Sequence, residues 1–273
     1  IFSSSWGGGG LVNAMLAEKT RNVEGDLSLM NSLSIVSSLI GALLPLGVPI
    51  RFIFLVDSGI AFTSLLLISM VSENYKGTGR ASFKVDITMG KFSTEAVIGL
   101  GAGIVIPLMS LWFELRFNES ARSMSPVFAL SDLTLALTVL AAPRLAARVG
   151  TVKAIVLTHV SAIALLISLP FSPTFPVASA IFIVRNALMN MGNPLLSSMI
   201  LKLMPENRRA SATSFINLLS SIPRAAGPSI GGYLFGEGDL YSPFFITAGL
   251  YSLATALFYL FFRNARLEAV RAA

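Results

Sequence analysis

The chain alternates long apolar runs with short polar joints. Eight runs stand out, at 27–47, 52–71, 93–113, 125–143, 154–170, 177–201, 211–235 and 243–262. Each approaches the length of about 20 residues that a helix needs to cross a bilayer. Helix is the state that satisfies every backbone group inside lipid, and the runs lack the strict alternation of a barrel strand. Residues 1–17 read as the end of a further helix, with Trp6 suited to an interface and Gly7 to Gly10 to close packing. A flexible Gly-rich linker is the alternative there. The pattern therefore predicts an all-α membrane protein, a polytopic bundle of about eight full transmembrane helices plus the end of a ninth.

The joints carry the charge, and its sign alternates from side to side. With 18–26 placed in the cytoplasm, fifteen of the 20 lysines and arginines fall on that side. Arg51, Arg116 and Arg122 fall outside, and Arg185 and Arg224 lie within spans. Such an asymmetry sets orientation and predicts a cytoplasmic C-terminus in a multi-pass protein of the cell membrane. The longest polar joint, 72–92, holds Lys76, Arg80, Lys84 and Lys91 and reads as a linker between two helical halves.

Composition narrows the classes. Charged residues make up 12% of the 273, half of what a soluble domain carries, and the mean hydropathy is +0.75. The net charge of +6 does not imply nucleic acid, because the basic residues sit between apolar spans. There are no cysteines and one histidine, so disulfides, thiolate metal sites and histidine clusters are excluded. Neither a phosphate-binding G-x-x-x-x-G-K-[ST] loop nor a G-x-S-x-G elbow occurs, and no cofactor or enzyme activity is expected. The chain begins with Ile and shows no basic n-region, so the true N-terminus is expected upstream.

One stretch, 185–232, organises the rest. An apolar helix bearing Arg185 and three asparagines enters the turn Pro205-Glu206-Asn207-Arg208-Arg209, and a helix rich in small residues follows, with Pro223 and Pro228 inside it. Segments 14–44 and 198–230 align weakly, Met15 with Met199, Asn31 with Asn217 and Gly41 with Gly227. Parallel repeats of this kind are expected of two bundles facing each other across a cavity.

Here the chain resembles the major facilitator superfamily of secondary transporters. Pro205-Glu206-x-x-Arg209 is similar to its P-E-x-x-R-G turn, with Ala210 in place of Gly. Gly227-Pro228-x-x-Gly231-Gly232 is similar to its G-P-x-x-G-G helix-packing motif. RLAARVGTVK (144–153) resembles its D-R-x-G-R-[RK] loop through Arg148 and Gly150, while Ala147, Thr151 and Val152 depart from it. The resemblance implies helices four to six in 1–71, a cytoplasmic linker in 72–92 and a C-terminal six-helix bundle in 93–273. It places helices one to three upstream. It further implies a cavity lined by helices one, four, seven and ten, the tenth being 177–201.

Ionisable groups inside spans are costly unless paired or hydrated. Asp57, Asp132 and Arg185 share a depth and are candidates for ion pairs across the bundle or for a substrate site. Arg185 sits about 6 Å from its span's centre, at about 1.5 Å per residue, too deep to snorkel easily. Asn186, Asn190 and Asn193 recur on one helical face, read either as interhelical glue or as a cavity wall. Pro194 beside them marks a bend. Glu95 reads as a helix N-terminal carboxylate or a proton-coupling group, and His159 as a packing residue.

The sequence thus predicts transmembrane transport of a small-molecule solute by alternating access, with a coupling proton or sodium ion and the lipid bilayer as partners. A non-transporting receptor or assembly factor is the alternative. The topology has a direct test. Ser82→Cys, introduced into a chain without native cysteine, is expected to resist an impermeant thiol reagent applied to intact cells and to react once the membrane is opened. Labelling from outside would reverse the orientation.

Overall fold

The computed structural model describes residues 37, 38, 40, 41, 43–69, 90–203 and 209–263. Among them every regular element is helical. A 3-10 turn at Leu44–Leu46 precedes α1 (Ile50–Ser69). The later helices are α2 (Thr94–Val105), α3 (Met109–Phe117), α4 (Ala121–Val149), α5 (Thr151–Ser168) and α6 (Phe175–Asn190). They are followed by α7 (Asn193–Leu203), α8 (Arg209–Gly236) and α9 (Ser242–Phe262). Thr94–Phe117, Ala121–Val149, Thr151–Phe171, Phe175–Ile200 and Ser242–Phe262 are long and apolar enough to cross a membrane. The expected helix in 1–17, most of the 27–47 span, the 72–89 part of the linker and most of the first repeat copy lie outside the described residues.

Local chemistry explains where the helices stop. Pro107 has no N–H to give the Gly103 carbonyl, and the first span tightens there into a 3-10 turn, Ile106–Leu108, between α2 and α3. Asn118 ends α3 in the left-handed region, and Ser120 caps α4 by accepting from Ser123 N at 3.3 Å. A single residue, Gly150 at φ 89, separates α4 from α5. Its N–H donates to Ala146 O and its carbonyl accepts from Ala154 N, both at 2.9 Å, so one glycine closes one helix and opens the next. At the opposite end, Asp239 Oδ1 accepts from Tyr241 N and Ser242 N before α9. The Ser242 hydroxyl, its N–H and that of Tyr241 hold this carboxyl below its ordinary value. The cap is therefore intact at neutral pH and is lost only as pH falls below the ordinary carboxylate range.

Lipid gives helices no hydrophobic reason to associate, so close packing must hold this bundle together. At one end Trp112 and Phe113 are fully buried. Phe113 meets Phe175 and Phe182 edge-on, Trp112 meets Phe244, and the Trp112 indole donates to Leu240 O at 3.1 Å. At the other end Phe92, Phe258 and Phe262 stack in series, with ring centroids 4.9 Å apart at each step. Between these ends, α2 lies against α8 backbone to backbone. A Cβ at Gly99 would collide with the Ser220 carbonyl, one at Gly103 with the Arg224 carbonyl, one at Gly227 with the Gly103 backbone, and one at Gly231 with the Ile104 carbonyl. A Cβ at Gly101, on another face of α2, would sit 3.1 Å from the Tyr251 ring of α9, where Thr247 Oγ1 also donates to Gly101 O at 3.0 Å.

The register separates glycines that are required from those that are not. Gly103→Ala and Gly231→Ala are expected to destabilise by about 3 kcal/mol, because the obstacle is backbone rather than a side chain that can turn away. Gly232 has only Leu108 Cδ1 at 4.0 Å, so Gly232→Ala is expected to leave Tm nearly unchanged. Thermal unfolding of the purified variants in detergent checks both, and equal losses at Gly231 and Gly232 would contradict this packing.

Candidate functional site

The polar residues within the spans fall into three groups. The first is an amide ladder on α6. Asn186 Nδ2 donates to Ser131 Oγ of α4 at 2.8 Å. Asn190 Nδ2 donates to the Asn186 carbonyl and side-chain oxygen, each at 2.9 Å. Asn193 Nδ2 reaches Asn190 Oδ1 at 3.4 Å. The ladder runs from a buried end at Ser131 to an exposed end at Asn193. It ends where the helix does, since α6 stops at Asn190 and α7 starts at Asn193, with Met191 and Gly192 as a turn between them. Pro194, the second residue of α7, cannot donate to the Asn190 carbonyl. The helix is interrupted here, beside Pro194.

The second group is inside the bundle. Arg185 precedes Asn186 by one residue, about 100° around the helix at 3.6 residues per turn, and so faces a different set of neighbours. It is 1% exposed, with Cζ 5.5 Å from the centroid of the Tyr251 ring. Its Nε and Nη2 are buried and make no hydrogen bond. His159 of α5 and Arg224 of α8 lie within electrostatic reach of Arg185, and Glu95 of α2 and Tyr251 within that of Arg224. His159 also lies beside the Met189 backbone, and its Nε2 would be 3.7 Å from a Cβ on Gly192. Glu95 is the second residue of α2, in its first turn.

The third group joins the segment before α1 to α4. Asp132, half-buried on α4, accepts a short hydrogen bond from Ser38 Oγ. Asp57 is exposed on α1. The ion pairs expected from shared depth are therefore not formed. Arg185 faces Tyr251, Asp132 faces Ser38, and Asp57 faces outward. Depth along a helix does not fix direction around it, and the three side chains leave their helices toward different neighbours.

Of the motif residues, Arg148 is exposed in the last turn of α4, where a cation suits the helix C-terminus. Gly150 makes the turn described above. Pro205 and Glu206 lie outside the described residues, and Arg209 is the first residue of α8. Gly227 and Gly231 touch α2, while Pro228 and Gly232 are half-buried beside them. Two features were missed in the sequence. One is the run Gly99-Leu100-Gly101-Ala102-Gly103, whose small residues at alternate and four-residue spacing are the signal of close helix contact. The other is Tyr251, which gives no signal of its own within an aromatic-rich span.

The comparisons agree with this architecture. A bacterial homolog of the human lysosomal transporter Spinster, crystallised in an inward-facing and occupied conformation, superposes with a TM-score of 0.67 at 13% identity. The superposition covers 92% of this chain and 73% of that one, a likeness of fold. Among curated proteins, none matches in sequence. The sequence pattern of the Major Facilitator Superfamily matches residues 91–272, which contain the five described helices long and apolar enough to cross a membrane. The chain belongs to the major facilitator superfamily of transporters.

Proposed function

We propose that the protein moves a small solute across the cell membrane by alternating access, driven by a gradient of the solute or of a coupling proton or sodium ion. In this reading 1–71 belongs to an N-terminal bundle, 72–92 is a cytoplasmic linker and 93–273 is the second bundle, with a cytoplasmic C-terminus. The observation that carries the proposal is the amide ladder that ends at a break in its own helix. Transporters build solute sites from interrupted helices whose freed backbone groups and polar side chains can contact a ligand. The exposed Asn193 end and the freed Asn190 carbonyl provide such groups, and Asn186 ties them to α4 through Ser131.

The Ser38–Asp132 contact supports a second part of the cycle. It bridges the segment before α1 and the N-terminal half of α4, and in the proposed cycle it closes one side of the space between the two bundles. For solute to pass on that side, the contact must open.

Two outcomes are expected with the full-length parent in proteoliposomes. Asn190→Leu removes a donor and an acceptor from the ladder without changing its size much. Transport should fall by about tenfold or more, the worth of a hydrogen bond of about 1.5 kcal/mol. The variant should still purify as a folded protein, and full activity would remove the ladder from the solute path. Ser38→Cys with Asp132→Cys, bridged by a short thiol cross-linker, should stop transport until the bridge is cleaved. Transport by the bridged protein would rule out opening at this contact.

A further inference from the structure

The cluster around Arg185 is unbalanced. Two guanidiniums, Arg185 and Arg224, lie within electrostatic reach of each other inside one bundle. Glu95 is within electrostatic reach of Arg224. A guanidinium is a permanent cation with five N–H donors and no acceptor. Tyr251 offers it a ring face, which attracts the cation but accepts nothing from its N–H groups. Nε and Nη2 are left buried with no acceptor. These two N–H groups project from one edge of a planar fork, the geometry that takes a carboxylate bidentately or a compact ion between them. His159, also within electrostatic reach of Arg185, lies beside the Met189 backbone.

We propose that this cluster binds a compact anion, held on the Nε and Nη2 edge of Arg185 beside the Tyr251 ring and within the field of Arg224. The anion supplies the charge and the acceptor that the described side chains do not supply to Arg185. Two sources share this chemistry. A resident halide ion would be part of the folded bundle, and a carboxylate would be the charged end of the transported solute. Only the second source rests on the transporter reading.

Binding can be measured without transport, so failure of either idea is distinguishable from failure of the other. The full-length parent, purified in detergent, is unfolded thermally while chloride or acetate replaces gluconate at constant ionic strength. A ligand that binds only the folded state raises Tm saturably. Saturable stabilisation by chloride assigns a resident ion, and stabilisation by acetate without chloride assigns a carboxylate-bearing solute. In either case Arg185→Gln should abolish the effect. Arg185→Lys, which keeps the charge and loses the fork, should weaken it by about tenfold. Equilibrium binding of radiolabelled chloride and acetate to the unmutated protein gives the same answer if the variants do not fold. The proposal is overturned if neither anion stabilises or binds, or if a folded Arg185→Gln or Arg185→Lys responds as the unmutated protein does.

Discussion

The backbone contact between α2 and α8 sets the geometry of the helices packed around it. Contacts advance in the same direction along both helices, Gly99 with Ser220 and Gly103 with Arg224, so the two run parallel. Helices that touch at glycine leave no room for side chains between their axes. Polar groups on either helix must then leave at the edges of the contact. Arg224 sits at that edge, its own carbonyl pressed toward Gly103. Side chains of a helix lean toward its N-terminus, so the guanidinium is aimed toward the end where Glu95 begins α2. The glycine run thereby determines which carboxylate Arg224 meets, although no glycine bears a charge.

The third helix of this group follows from the same constraint. Gly101 faces α9 and lets the Tyr251 ring approach the α2 backbone. Tyr251 is held on one side by that contact, and Arg185 lies over its ring. Arg185 is thus positioned by a chain of packing that starts at a residue without a side chain. A larger residue at 101 would displace the ring first and the guanidinium after it. This is the physical link between a motif of small residues and a buried charge four helices away in sequence.

Much of this architecture was legible from hydrophobic runs alone. The span read as 177–201 is the pair α6 and α7, Phe175 to Leu203, and its interruption falls just before Pro194, whose missing N–H removes a helical bond there. The span read as 125–143 is shorter than α4, Ala121–Val149, because helix continues into the charged ends where Arg122, Arg144 and Arg148 lower the hydropathy. The amide periodicity put Asn186, Asn190 and Asn193 on one face, and the structure joins them into one hydrogen-bonded series across the break between α6 and α7. The partners of Arg185 were not legible. Pairing by depth ranks residues along the membrane normal, whereas contact also depends on rotation about each helix, which hydropathy within a nearly all-apolar span does not encode.

Rotation is also what gives α6 its place between two networks. Arg185 and Asn186 are neighbours in sequence, yet one turns toward α5, α8 and α9 and the other toward α4. Any twist of α6 that lengthened the Asn186–Ser131 bond would also move Arg185 against the Tyr251 ring. The turn at Met191-Gly192 releases α6 from α7, so such a twist need not propagate to α7 and its packing near Met199 and Ile200. Gly192 leaves ordinary van der Waals room beside His159 rather than a clash, which permits small displacements there. In the proposed cycle α6 can therefore report occupancy of the Arg185 site to the ladder at Asn190. The coupling needs no contact between the two networks beyond the one peptide bond that joins Arg185 to Asn186.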